Sequence, residues 1–219
     1  LEEDQEKHIF TLVEKTLEDN GVGKDEKYAS QPANGNCSGF LVEDDVLITA
    51  GHCVSSVESC QNHKWIFDYA YYDHPIEKFE FNQDQIFSCV ELIAREKDNT
   101  TGIDYSVIRL DRKVLGRRPF KMRSEGKLSD DAVLTVLGFP SGIPLKITTG
   151  AVVRKNDKDE FFVINSDTYG GNSGSAVIDT RTGIVEGILV RGDDDYNMDP
   201  ENECMRSVVR EQDNGRGED

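Results

Sequence analysis

Short strand-like apolar runs, separated by turn residues, fill most of this 219-residue chain. They fall into two series: 39–42, 46–49, 64–71, 87–94 and 105–110 in the first, and 133–140, 146–153, 161–165, 175–178, 184–190 and 204–209 in the second. Short strands at such spacing, with no convincing helix between them, are typical of sandwiches and barrels. The pattern predicts an all-β protein of two packed antiparallel barrels with about six strands each.

A basic stretch without periodicity, Gly116-Arg117-Arg118-Pro119, separates the two series. We therefore expect a first barrel at 36–115 and a second at 116–219, after an amino-terminal segment at 1–35. Within that segment apolar residues stand at roughly helical spacing before an Asn-Gly stop: Ile9, Leu12, Val13 and Leu17. A short amphipathic helix and an irregular strand both fit this spacing.

Acidic residues dominate the charge, with 42 Asp and Glu against 25 Lys and Arg, so the formal net charge is −17. Such a surface repels nucleic acid and anionic membranes, and its plainest role is solubility. No apolar run reaches membrane-spanning length, so no membrane insertion is expected.

Leu1 is an unusual native start, and we interpret the chain as a mature or trimmed product. We expect a monomer.

A serine stands among glycines in Gly170-Gly171-Asn172-Ser173-Gly174, directly before an apolar run. Glycines crowd a serine in this way where the backbone turns tightly and its N–H groups face a ligand. The N–H groups of Gly171 and Ser173 then suit an oxyanion formed when Ser173 attacks a carbonyl. An ordinary turn between strands explains this stretch alone equally well.

Two upstream segments complete a known pattern. His52 ends the strand-like run 47–51, and Asp104 opens another in Asp104-Tyr105-Ser106-Val107. The order His52, Asp104, Ser173 and the surrounding motifs resemble the trypsin/chymotrypsin-fold serine endopeptidases, and the glycine-rich serine motif looks most like their bacterial branch with glutamyl endopeptidases and exfoliative toxins. The resemblance spans about residues 35 to 195.

This resemblance implies a serine endopeptidase that hydrolyses peptide bonds through an acyl-enzyme. Ser173 is then the nucleophile, His52 the base that later acts as acid, and Asp104 the group that orients the imidazole. Neither His8, His63 nor His74 lies in such a motif. A rival interpretation is a catalytically silent homologue that binds partners through the same cleft, and a third is a toxin-like protease with one narrow target.

The resemblance also implies a substrate site. Asp167, six residues before Ser173, holds the place of the pocket aspartate of trypsin-like enzymes and predicts cleavage after Arg or Lys, although it caps a turn equally well. Thr168 matches a threonine of glutamyl endopeptidases, whereas Leu189 replaces their histidine. The stretch from Leu189 through Val190 and Arg191 to Gly192 is expected to pair with extended protein or peptide substrates. Arg191 is also a candidate to neutralise Asp167.

In the same family a disulfide joins the places of Cys37 and Cys53, and Cys60 and Cys89 make a plausible second bridge. Cys204 is left over. Two disulfides favour a secreted or periplasmic protein. No Cys-x-x-Cys or histidine-rich spacing supports zinc, so we expect no metal and no cofactor.

Trypsin-like zymogens insert a new amino terminus that pairs with an aspartate just before the serine. This chain has Asn172 there, and no Ile-Val-Gly-Gly-like start is present. A neutral amide cannot form that ion pair. We therefore expect an oxyanion site that does not depend on trypsin-type activation.

Overall fold

The computed structural model describes residues 1–13, 15–72, 78–210 and 217–218. Its strands are β1 Glu2–Asp4, β2 Ile9–Thr11, β3 Phe40–Leu41, β4 Val46–Thr49, β5 Lys64–Ile66, β6 Glu80–Asn82, β7 Ile86–Lys97, β8 Asp104–Leu110, β9 Val133–Gly138, β10 Lys146–Lys155, β11 Val163–Ile164, β12 Ala176–Asp179, β13 Val185–Ile188, β14 Arg191–Gly192, β15 Tyr196–Asp199, β16 Cys204–Ser207 and β17 Gly217–Glu218. One α-helix, α1 Val57–Asn62, and three 3-10 turns, Glu18–Asn20, Gln83–Gln85 and Pro140–Gly142, complete the elements of the described residues. The predicted all-β, double-barrel class is confirmed.

The first large sheet has five antiparallel strands in the order β3-β4-β8-β7-β5. Strand β8 shows why it folds: Ser106, Ile108 and Leu110 alternate on the buried side of the strand. Their core also contains Leu47 and Phe87. Helix α1 was not predicted. It begins after Ser56, whose side chain caps the N–H of Ser59.

The second large sheet has seven strands in the order β13-β12-β9-β10-β11-β17-β14. Because β13 and β14 are consecutive in the chain, this order brings both ends of the sheet together and curls it. Its core includes Leu134, Val136, Ile164 and Val177, all almost fully buried. The sheets therefore have five and seven strands rather than six each.

The region predicted as a last strand, 204–209, is not part of this sheet. Strand β16 instead pairs with β15 as a separate hairpin, with Asp199 opposite Cys204. The position between β11 and β14 is taken by β17. The strand predicted at 64–71 is shorter in the structure. It ends at Ile66, because Asp68, with a φ of +65°, turns the chain.

The amino-terminal segment forms strands where a helix was one of two expectations. Strand β2 lies between β1 and β6. Phe10 and Leu12 pack against an aromatic cluster that includes Tyr69, Phe79 and Phe81, and this burial outweighs a weak helical spacing. No helix among the described residues is both long and apolar enough to cross a membrane.

Candidate active site

His52 lies in a turn directly after β4. The N–H of Cys53 donates to the carbonyl of Ala50 (3.0 Å) and closes this turn. Residue 51 must be a glycine because the backbone packs closely against other segments here. A Cβ at this position would lie 2.8 Å from Asp104 Oδ1 and 2.7 Å from the carbonyl oxygen of Glu96. The absence of a side chain at residue 51 thus lets the histidine turn rest on the start of β8.

Both carboxylate oxygens of Asp104 bind His52. The His52 backbone N–H donates to Oδ1 (2.8 Å), and the ring Nδ1 lies 2.9 Å from Oδ2. The Asp104 side chain is only 13% exposed. These contacts favour the tautomer with its proton on Nδ1 and leave Nε2 as the basic nitrogen.

The Ser173 loop lies against the same region of the first barrel. The Ser173 carbonyl accepts the Ser38 N–H (2.8 Å) and lies 3.6 Å from the sulfur of Cys53. Cys53 directly follows His52 in the sequence. Gly174 has φ +91°, and a Cβ there would come within 2.3 Å of Thr49 Oγ1. The structure therefore brings the histidine turn and the serine loop together, and only glycine fits between them.

Two disulfides, Cys37–Cys53 and Cys60–Cys89, are present, as predicted. Cys204 carries a free thiol. One set of candidate metal ligands in the described ranges comes close enough to hold an ion, and it consists of Cys37, His52 and Cys53. Since its cysteines are bonded to each other, this set offers no thiolate.

The expected oxyanion donors are the N–H groups of Gly171 and Ser173. Gly171 has φ +91°, and a Cβ there would lie 2.6 Å from the Phe139 carbonyl oxygen, so glycine is required. Within the part of the chain that the structure describes, neither N–H donates to a protein acceptor. Both donors are therefore available to a ligand.

Two serines that the sequence did not indicate hold this loop. The Ser38 hydroxyl donates to the Gly171 carbonyl (2.7 Å) and accepts the Phe139 N–H (3.0 Å). The Ser141 N–H donates to the Gly170 carbonyl (2.5 Å). Neither serine belongs to a recognisable motif, because what matters is their position opposite a loop distant in sequence.

The predicted substrate residues are spread around the serine loop. Asp167 is exposed, and its carboxylate forms no ion pair within the described ranges. The Thr168 hydroxyl lies 3.3 Å from that of Ser166. The Arg191 guanidinium donates to the Gly102 carbonyl (2.6 Å).

The predicted substrate stretch, Leu189 to Gly192, directly follows β13 and begins with two buried residues. The Leu189 and Val190 side chains are 4% and 7% exposed. The Leu189 N–H and carbonyl bond to Ser175 and Gly174. Gly192 is exposed and pairs with Gly217 of β17. Of the remaining histidines in the sequence, His74 lies outside the described residues.

The chain is similar to known proteins in sequence and in fold. Residues 37–188 match the trypsin-like peptidase domain family. A solved Glu endopeptidase is similar in fold, with 20% identity over 83% of this chain and 78% of the other, at a TM-score of 0.52. The Rv3671c protease of M. tuberculosis (18% identity, 76% and 65% covered, TM-score 0.46) and a serine endoprotease of Yersinia pestis (17%, 70% and 47%, 0.47) also match. No curated protein matches the sequence.

The double barrel and the matched domain define the class, a serine endopeptidase of trypsin-like fold. The family match covers more than half of the chain, and the protein belongs to the trypsin-like peptidase domain family. Protein or peptide substrates follow from that class.

Proposed function

We propose that the protein cleaves peptide bonds through an acyl-enzyme on Ser173. The Ser173 hydroxyl attacks the carbonyl carbon while His52 Nε2 takes its proton. The N–H groups of Gly171 and Ser173 bind the oxyanion. The carbon–nitrogen bond then breaks, and His52 returns the proton to the leaving amine. Water, activated by His52, hydrolyses the ester and releases the carboxylic acid.

The observation that carries this proposal is the pair of hydrogen bonds between His52 and Asp104. The His52 backbone N–H lies 2.8 Å from Asp104 Oδ1, and the ring Nδ1 lies 2.9 Å from Oδ2. A serine hydroxyl is a weak nucleophile near neutral pH and needs a base. Asp104 holds the imidazole with a basic nitrogen free and stabilises the imidazolium that forms. The N–H groups of Gly171 and Ser173, which donate to no protein acceptor among the described residues, support the second requirement, a site for negative charge.

For the primary specificity we propose cleavage after Arg or Lys, with Asp167 as the recognising carboxylate. Its side chain is accessible and carries no competing ion pair in the described ranges, so it is available to a cationic substrate side chain. The absence of a histidine at Leu189 disfavours glutamate recognition.

We also propose barrels at 36–115 and 116–219 after the segment 1–35, because the strands of the first sheet end at Leu110 and those of the second begin at Val133. A secreted or periplasmic location is proposed on the strength of the two disulfides.

Cleavage-site profiling of a diverse peptide library by mass spectrometry tests the activity, with Ser173→Ala as the control. We expect cuts that vanish in the variant, most of them after Arg or Lys. Asp167→Asn should lower kcat/KM for those sites at least tenfold while leaving labelling of Ser173 by a small fluorophosphonate intact. Absence of both cuts and labelling would overturn the proposal, and cuts after Glu or apolar residues would overturn the role of Asp167.

A further inference from the structure

Gly170 is held on both its N–H and its carbonyl side by residues outside the serine loop. The Gly170 carbonyl accepts the Ser141 N–H (2.5 Å), and the Gly170 N–H donates to Asp195 Oδ2 (2.6 Å). A trans peptide is planar, so its carbonyl and its N–H point in opposite directions. Fixing the Gly170 oxygen on Ser141 therefore turns the Gly171 N–H away from Ser141, and among the described residues this N–H has no protein acceptor.

Ser141 occupies an unusual conformation. Its φ of +50° and ψ of 21° lie in the left-handed region, which non-glycine residues rarely adopt. Such strain persists where surrounding contacts over-determine it, and it is often found at functional sites. The side chain supplies one such contact, since Ser141 Oγ lies 2.8 Å from the Tyr196 hydroxyl.

Tyr196 is held in turn by residues far from it in sequence. Its ring lies 5.4 Å from that of Tyr169 and joins an apolar cluster with Leu17, Val22 and Ile143. Burial raises the pKa of its hydroxyl, so the hydroxyl stays protonated and can donate near neutral pH.

The amino-terminal segment also binds the hairpin that carries Tyr196. The Met205 carbonyl accepts the Gly23 N–H (3.0 Å), and the Met205 N–H donates to the Gly21 carbonyl (2.8 Å). Arg206 pairs with Asp25 and, at 3.5 Å, with Glu26. A continuous set of contacts thus leads from residues 17–26 to the Gly170 carbonyl.

We propose that Ser141 and Tyr196 are positioning residues of the oxyanion site. They hold the Gly170–Gly171 peptide in its competent orientation, where Asn172 rules out an aspartate ion pair. This inference deepens the proposed function and rests on it. Since an oxyanion donor acts most strongly in the transition state, losing its orientation lowers kcat and leaves KM nearly unchanged.

Three variants test this role: Tyr196→Phe, which keeps the ring in its cluster, Ser141→Ala, and the double variant. Thr180→Ala is the matched control, because it removes another hydroxyl–hydroxyl contact of 2.8 Å, with Thr135. We expect kcat to fall about three- to tenfold in each single variant and no further in the double variant, because both lose one shared contact. KM should stay within about twofold, and the control should match the wild type.

A second measurement does not depend on activity. In the Ser173→Ala background, amide hydrogen exchange of residues 169–175 should become faster in Tyr196→Phe but not in Thr180→Ala. Unchanged kcat and exchange in Tyr196→Phe, or equal losses in the control, would overturn the inference while leaving the protease proposal standing. A wild-type protein that neither cuts peptides nor reacts at Ser173 would instead overturn the proposed function, and exchange alone would still decide whether the loop depends on Tyr196.

Discussion

The His52 side and the Ser173 side of the candidate site are held in different ways. His52 is fixed within the first barrel by two bonds to Asp104 and by the adjacent Cys37–Cys53 disulfide. The Ser173 loop instead depends on backbone and hydroxyl contacts from other regions, namely Ser38 and Ser141. One side is held by a carboxylate and a disulfide, the other by hydrogen bonds, without charge or covalent link, from two separate segments.

We therefore expect changes on the two sides to affect different steps of the reaction. Changes near His52 should remove the base outright, whereas changes around the serine loop should alter oxyanion binding by degrees. The amino-terminal segment contacts the β15–β16 hairpin, so we expect changes in it to act on the Ser173 side.

The largest effect is expected for Asp104→Asn. An asparagine cannot hold the imidazole in the productive tautomer, so kcat should fall by about 10⁴ with little loss of folding stability. Steady-state kinetics with circular dichroism as a folding check measures this. If the loss is below tenfold, the His52 side does not depend on its carboxylate as the geometry implies.

Gly171→Ala should come next. The new Cβ would clash with the Phe139 carbonyl at 2.6 Å and displace the N–H donor, which should reduce kcat by about 10² to 10³. Gly183→Ala is the matched control, because Gly183 also has a positive φ (+72°) but a Cβ added there would meet no atom within 4 Å. That control should lose about 1 kcal/mol of stability and no activity. Equal activity losses in the two would refute the specific role of the loop.

The two disulfides allow a direct test of the first side. Replacing either cysteine pair by serine should cost roughly 3 kcal/mol in unfolding free energy, because both close loops of moderate length. Only the Cys37–Cys53 replacement should also lower kcat, since Cys53 adjoins His52. Urea unfolding and steady-state kinetics on both double variants test this. If the two variants have equal kcat values, the Cys37–Cys53 disulfide does not position the histidine.

The smallest effect concerns docking of the amino-terminal segment. Lys146 donates to Gln31 Oε1 (2.9 Å), and burial lowers its pKa from 10.5 to about 8. Between about pH 8 and 10.5 the unfolded chain binds a proton on Lys146 more readily than the folded protein does. The free energy of unfolding of wild type, relative to that of Lys146→Gln, should therefore rise as the pH increases through this range. Urea unfolding of both proteins at about pH 7 and pH 10 measures the difference. A difference that does not change with pH would contradict the burial of Lys146 beneath the segment.

Much of the fold and of the site could be predicted from local patterns. Alternation in 105–110 predicts a half-buried strand, and the glycines at 171 and 174 predict a tight turn around Ser173. The helix at Val57–Asn62 and the place of β17 were missed, because a six-residue helix and a two-residue strand carry too little periodicity to be recognised.

The class of protein could be inferred from the amino-acid order alone, because His52, Asp104 and Ser173 each stand in a local motif that is typical of serine endopeptidases. The contacts that hold the serine loop could be recognised only in the folded protein. Ser38, Ser141 and Tyr196 act through contacts with segments 29 to 133 residues away, and such contacts leave no short-range pattern in the chain. The residue types needed for catalysis can be recognised from neighbouring residues in the sequence. The orientation of the serine loop depends on which distant segments pack against it.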